Sequence, residues 1–141
     1  MPSYWLMKSE PSTWSWDQQV AKGDAGEPWD GVRNHQAKNY MQEMKAGDKA
    51  FFYHSQKTRE IVGIVEVIEE AKPDPTAEPG SPWECVTIKA IEPLKTPVTL
   101  QEIKAKDSLA EMVLVKNSRL SVQPVTAAEW KEICNLGGVK P

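Results

Sequence analysis

Residues 48–69 read DKAFFYHSQKTREIVGIVEVIE. Asp48–His54 and Ile61–Glu69 are β-branched or aromatic runs parted by polar residues, the pattern of neighbouring antiparallel strands. The second run alternates through Val65 and Val67, as expected of a strand with one face in a core. Downstream, residues 71–82 hold four prolines and a glycine and are expected to form an exposed loop. Trp83–Leu94 then supplies a third long strand, with Cys85, Thr87 and Lys89 alternating against Val86 and Ile88, returning to the same sheet.

Upstream, Tyr4–Met7 reads as a short strand, broken by the cluster Ser9-Glu10-Pro11-Ser12-Thr13 ahead of a short helix over Trp16–Lys22 that ends at Gly23. Asn34 is a good N-cap, and Ala37, Tyr40, Met41 and Met44 follow at i, i+3, i+4, i+7, the stripe of an amphipathic helix stopped near Gly47. Thr99 with Glu102, Ser108 with Glu111, and Thr126 with Glu129 each match the S/T-x-x-E signature of a helix start, the last helix closing near Gly137. Arg119–Val122 reads as a final strand. Strands outnumber helices without alternating with them, which favours an α+β domain with a curled, barrel-like sheet over a doubly wound one. There is no internal repeat and no domain boundary, so residues 1–141 are expected to form a single domain.

At 141 residues the chain is long enough for one core that buries roughly 70% of the surface its unfolded form exposes. Cys85 and Cys134 lack CxxC spacing and a secretory context, and are read as reduced core thiols. No apolar run approaches the roughly 20 residues that span a bilayer, and the chain starts directly with a strand pattern; a cytoplasmic location, or nuclear in a eukaryote, and no membrane partner are expected. The net charge of −3 argues against a broad basic coat for nucleic acid. The average hides an asymmetry: residues 31–59 carry Arg33, Lys38, Lys45, Lys49, Lys57 and Arg59 against Glu43 and Asp48, whereas residues 60–84 carry seven acids against Lys72.

Four of the six tryptophans fall within the first 29 residues. Trp5 reads as core, Trp16 and Trp130 as helix-to-sheet packing, and Trp83 as core or loop cover. Trp14 and Trp29 sit in polar, loop-like surroundings and have two readings: core packing, or aromatic faces that stack a flat ligand, where each base stacked contributes about 1–3 kcal/mol. On the second reading, Trp29→Ala removes binding and leaves folding intact. Asn34, Tyr53, His54 and Ser55 add polar edges for such a pocket, although Asn34 also serves as a helix cap. Tyr53 and Ser55 alternate on one strand face, so His54 points to the other and a Ser55–His54 catalytic pair is disfavoured. His35 reads as a first-turn helix residue. No ligand-spaced His/Cys pair, phosphate loop or GxGxxG occurs, so neither a metal nor a cofactor is expected. Lys8, Ser9 and Glu10 within one turn are the seed of a rival, enzymatic reading.

Four ordered motifs, Tyr4-Trp5-Leu6-Met7-Lys8-Ser9-Glu10-Pro11, Trp29-Asp30-Gly31-Val32-Arg33-Asn34, Phe52-Tyr53-His54-Ser55 and Ser118-Arg119-Leu120-Ser121-Val122-Gln123-Pro124, together resemble the EVE domain family. The similarity spans essentially the whole chain, including the Gly47-Asp48 turn, Gly63 and the Pro73-Asp74-Pro75 loop. The resemblance implies a PUA-like fold, a mixed or antiparallel pseudobarrel surrounded by short helices and related to YTH domains. It also implies binding of a modified base of DNA or RNA, notably a modified cytosine. Carried over, the pocket draws on Ser9, Glu10, Trp14, Trp29, Asn34, Tyr53, His54, Ser55 and Arg119. Trp14 stands where the family has a smaller aromatic and Lys116 where Arg is common, which bears on ligand choice. A flipped base needs stacking faces, an edge-reading set and a modest cationic rim, for which Arg33, Lys38, Arg59 and Arg119 are the candidates. Two alternatives remain open in the sequence: a hydrolase acting on a modified nucleoside, as in the related ASCH group, with Lys8 and Glu10 as acid and base, and a protein-interaction module using exposed aromatics.

Overall fold

The computed structural model describes residues 3–56, 58–117 and 119–141. Lys57 of the basic segment and Ser118 of the last motif lie outside the described residues. The first strand, β1 (Tyr4–Ser9), runs two residues further than its apolar pattern and is followed by α1 (Trp16–Ala21), a short β2 (Glu27–Pro28) and α2 (His35–Glu43). β3 (Lys49–His54), β4 (Glu60–Pro73) and β5 (Glu84–Thr99) form the body of the sheet. Two short helices, α3 (Leu100–Lys104) and α4 (Val113–Lys116), precede β6 (Val122–Val125) and the closing α5 (Ala127–Gly137).

The helix starts are chemically defined. Ser15 caps α1 in a reciprocal box with Gln18, Asn34 caps α2, and Thr99 and Thr126 form boxes with Glu102 and Glu129, each satisfying N–H groups a helix cannot pair internally. The Ser108–Glu111 signature opens no helix. The Ser108 hydroxyl instead donates to Glu132 on α5, and Glu111 pairs with Lys116.

The six strands form one mixed sheet in the order β2-β5-β4-β3-β1-β6, in which β1 and β3 are parallel and the other neighbours antiparallel. This is the α+β architecture expected. Two boundaries and one burial pattern differ from the sequence reading. The last strand begins at Val122, because Leu120 is held in a turn to Asn117 and pairing with β1 starts at Met7 opposite Val122. β4 runs into the proline-rich segment as far as Pro73, where Asp74 is buried instead of exposed. In β5, Cys85, Val86, Thr87 and Ile88 are all buried. Three of them, Cys85, Val86 and Ile88, belong to one and the same core cluster, and the expected alternation is lost. Four register shifts along β4–β5 add twist and bend to the sheet.

Each face carries its own core. Trp5, Met7 and Phe52 belong with Trp16, Ala37 and Met41 of α1 and α2; Leu6, Phe51 and Tyr53 belong with Trp130, Ile133 and Cys134 of α5. Both cysteines are free and buried, and burial pushes their thiols up to about 11. No helix among the described residues is long and apolar enough to cross a membrane.

Gly63 shows how tightly the first core is closed, since a Cβ there would collide with the Trp16 indole. Overpacking of this kind costs about 1–3 kcal/mol. Gly63→Ala is therefore expected to lower stability by that amount, seen as a lower urea midpoint at unchanged m-value; an unshifted midpoint would show that α1 moves aside freely.

Candidate functional site

At the end of β1 the chain turns sharply, and its hydrogen bonds build one wall of a cleft. The Glu10 carbonyl accepts from the Thr13 and Trp14 N–H groups, and the Ser9 hydroxyl donates to the Trp14 carbonyl. Trp14, half-buried, is oriented by its Nε1, which donates to Gln19 Oε1 at 2.9 Å; the buried Gln19 in turn donates to the Ile88 carbonyl. The Lys22 ammonium lies 5.9 Å from the Trp14 ring centroid.

The facing wall comes from β2 and the loop after it. Trp29 donates its N–H to the Val86 carbonyl and is only 8% exposed, its ring edge-on to Phe52 at 5.6 Å. The next turns are fixed from beneath by Asp74. Its carboxylate accepts from the Gly31 N–H at 2.9 Å, from Arg33 at 3.2 Å, and from the Thr76 N–H and hydroxyl. Arg33 also lies over Trp83, which stacks on His35. Trp83 is thus loop cover, and His35 is the first residue of α2.

Between these walls is a cleft of about 430 Å³, within the range of ordinary ligand sites. Its apolar surfaces are Trp14, Pro28, Trp29 and Val32; its polar groups include Lys8, Ser9, Ser121 and Arg33 together with three carboxylates, Glu10, Glu27 and Asp30. Burial raises the Asp30 pKa, helped by the charges of Asp74 and Glu27 and opposed by Arg33. Burial lowers the Lys8 pKa.

Of the residues expected at a pocket, Ser9, Glu10, Trp14, Trp29 and Arg33 line this cleft. The strand-end trio is divided. His54 turns to the first core, where its Nε2 accepts from the Trp16 N–H at 3.0 Å and its ring packs on Phe52. It is a structural acceptor, and burial lowers its pKa against the pull of Glu60 and Asp17. Tyr53, Ser55 and Arg59 line a second cleft, of about 320 Å³, which shares Lys8 with the first. Asn34 uses its Oδ1 to accept from the Ala37 N–H, and neither it, Lys38 nor the exposed Arg119 lines either cleft. Lys8 and Ser9 close β1 instead of lying in one turn with Glu10, yet all three line the first cleft, so the residues of the enzymatic reading meet there. Among the described residues no three His, Cys, Asp or Glu side chains are grouped to hold a metal ion.

Sequence reasoning missed Glu27, Asp30, Ser121 and the supporting Asp74. Asp30 was within reach, since it stands inside the Trp29–Asn34 motif; the burial of Asp74 carries no local signal.

A mixed sheet flanked by short helices, with an aromatic and carboxylate-lined cleft beside the end of β1, is an α+β domain of the PUA-like kind. A YTH domain from Zygosaccharomyces rouxii shares this fold, with a TM-score of 0.58 at 18% identity, over 99% of this chain and 89% of that one. The EVE domain model matches residues 3–136, and the chain belongs to the EVE domain family. A crystal structure of an Agrobacterium tumefaciens protein is similar to it with a TM-score of 0.96 and 53% identity, covering 97% of this chain and 94% of that one. Human thymocyte nuclear protein 1 is 33% identical over the whole of this chain and 76% of its own length. The structure of the human protein in complex with 5-methylcytosine-containing DNA superposes with a TM-score of 0.90, covering 99% of both chains.

Proposed function

We propose that this protein binds a modified base of DNA or RNA, taking the extruded base into the cleft beside Trp14 and Trp29. The observation that carries this reading is the pairing of indole surface with carboxylates in one cleft of about 430 Å³. The indoles supply stacking area. The carboxylates are acceptors only, so they suit a base edge that presents an exocyclic amino group, as cytosine does, and disfavour the keto edge of thymine or uracil. The relation to human thymocyte nuclear protein 1, whose structure holds 5-methylcytosine DNA, supports the same choice. Trp14 is the accessible stacking face and Asp30 the edge reader, with Arg33 and, along α2, Lys38 meeting flanking phosphates.

The test is tryptophan fluorescence during titration with modified and unmodified nucleosides. Saturable quenching by 5-methylcytidine is expected in the native protein and is expected to vanish in Trp14→Ala. Quenching that is equal for every nucleoside, or that survives Trp14→Ala, would refute the reading. In Asp30→Asn the amide can turn its NH₂ toward a keto edge. The preference for amino-bearing over keto bases should then fall by about 10- to 100-fold, the value of a hydrogen bond to a charged group. Because the Asp30 pKa is raised, acidification should erode this preference at a higher pH than an ordinary aspartate would.

A further inference from the structure

The second cleft lies where β3 ends and β4 begins, and its lining is chemically one-sided. Lys8, Arg59 and Lys104 bring three cations, Tyr53 and Ser55 bring hydroxyls, and no Asp or Glu occurs among its described lining residues. In a chain of net charge −3, such local exclusion of acids calls for a reason.

The backbone supplies an independent observation. Among the described residues, Gln56 and Arg59 are the only non-glycine residues in the left-handed region, at φ 73° and 49°, and both line this cleft. Side chains avoid that conformation, which persists only where the surroundings enforce it. Here they do. Arg59 Nε donates to the Gln56 carbonyl, and the Leu100 N–H donates to the Arg59 carbonyl at 2.8 Å, which ties the turn to the start of α3. Glycine would hold the same turn without strain, so the arginine at position 59 brings a guanidinium at a conformational cost. The Lys8 ammonium lies 5.7 Å from the Tyr53 ring centroid. Burial raises the Tyr53 pKa, with Arg59 opposing, so its phenol remains a donor.

We propose that this second cleft is a phosphate-binding site, in which Arg59, Lys104 and Lys8 surround the anion and the Tyr53 and Ser55 hydroxyls donate to it. Guanidinium and ammonium groups with neutral donors match the charge and oxygen geometry of phosphate. The inference does not rest on base reading: it needs no stacking and uses the opposite face of the β3 strand end. The phosphate has two possible sources, a nucleic-acid strand or a free phosphorylated small molecule.

The experiment is an amide NMR titration of the full chain with inorganic phosphate. Saturable shifts are expected at Ser55, Gln56 and Arg59. Binding is expected to weaken at least about tenfold, the effect of losing one charge-assisted hydrogen bond, in both Arg59→Gly and Lys104→Gln. Arg59→Gly relieves the left-handed strain, so its thermal transition should not fall and loss of binding is not loss of fold. No saturable response, or a response unchanged in both variants, overturns the proposal. An unmodified single strand then separates the sources. If a strand phosphate occupies the cleft, the salt slope of binding drops by about 0.7 per cation removed; an unchanged slope beside intact phosphate binding assigns the cleft to a small molecule. Nucleosides carry no phosphate, so failure of the base-reading titration leaves this result standing, and the reverse.

Discussion

Replacing Trp29 with alanine is expected to lower stability by about 3–5 kcal/mol, the usual cost of truncating a buried aromatic. The ring is 8% exposed and meets Phe52 edge-on, on the same core face where Trp16 meets Phe52 edge-on at 5.5 Å. Removing it opens a cavity between two elements that otherwise touch through aromatic rings. Against a total of about 5–15 kcal/mol for a domain, that is enough to leave a sizeable unfolded fraction on mild heating. Urea denaturation measures it directly, and a loss under about 1 kcal/mol would place Trp29 outside the core. The expectation that Trp29→Ala would spare folding is thereby corrected: this tryptophan is core by burial and cleft wall by position. Trp14→Ala tests stacking more cleanly, because the half-exposed Trp14 ring contributes less to the core.

What was legible in the sequence is what local chemistry determines. The Asn34 cap and the Ala37–Met41 stripe define α2, and the alternation of Phe51 with Phe52 and Tyr53 with His54 assigns each to its sheet face. The same alternation separates Tyr53 and Ser55 from His54, yet both the polar-edge reading and the resemblance place all three at one pocket; the structure divides them, with His54 bonded to α1. Sheet pairing was less legible. β1 lies parallel to β3 through a connection that contains two helices, and β6 begins at Val122 because its partner residue, Met7, belongs to a strand over a hundred residues earlier. No short window contains that information. The aromatics in polar loops and Glu10 were a sound signal for the cleft, whereas the place of Glu27 beside them emerges only when β2 docks on β5.

Asp74 is where this long-range placement has its largest consequence. Proline-rich surroundings mark its segment as exposed loop, but Asp74 is only 4% exposed and its carboxylate accepts from Gly31, Arg33 and Thr76. It thereby sets the turn that presents Asp30 and Arg33 at the cleft. Asp74→Ala removes the carboxylate that accepts from the Gly31 and Thr76 N–H groups, each hydrogen bond to a charged group contributing about 1.5–3 kcal/mol at most, while half-exposed Arg33 regains water. A loss of about 2–5 kcal/mol is expected, together with weakened nucleoside binding, although Asp74 does not line the cleft. Asp74→Asn keeps one acceptor oxygen and should recover part of both. Acid titration gives the sign. Burial pushes the Asp74 pKa up, but the hydrogen bonds from Thr76, Gly31 and Arg33 outweigh it and hold it below the ordinary 3.8. Its contribution is therefore complete above that value and is lost as pH falls through the lower folded pKa. His54, whose pKa is also lowered, adds a loss of the same sign nearer 6.5. In Asp74→Asn the histidine limb should persist and the lower limb flatten. An unchanged acid limb in that variant would mean that Asp74 is not the carboxylate holding the cleft wall in place.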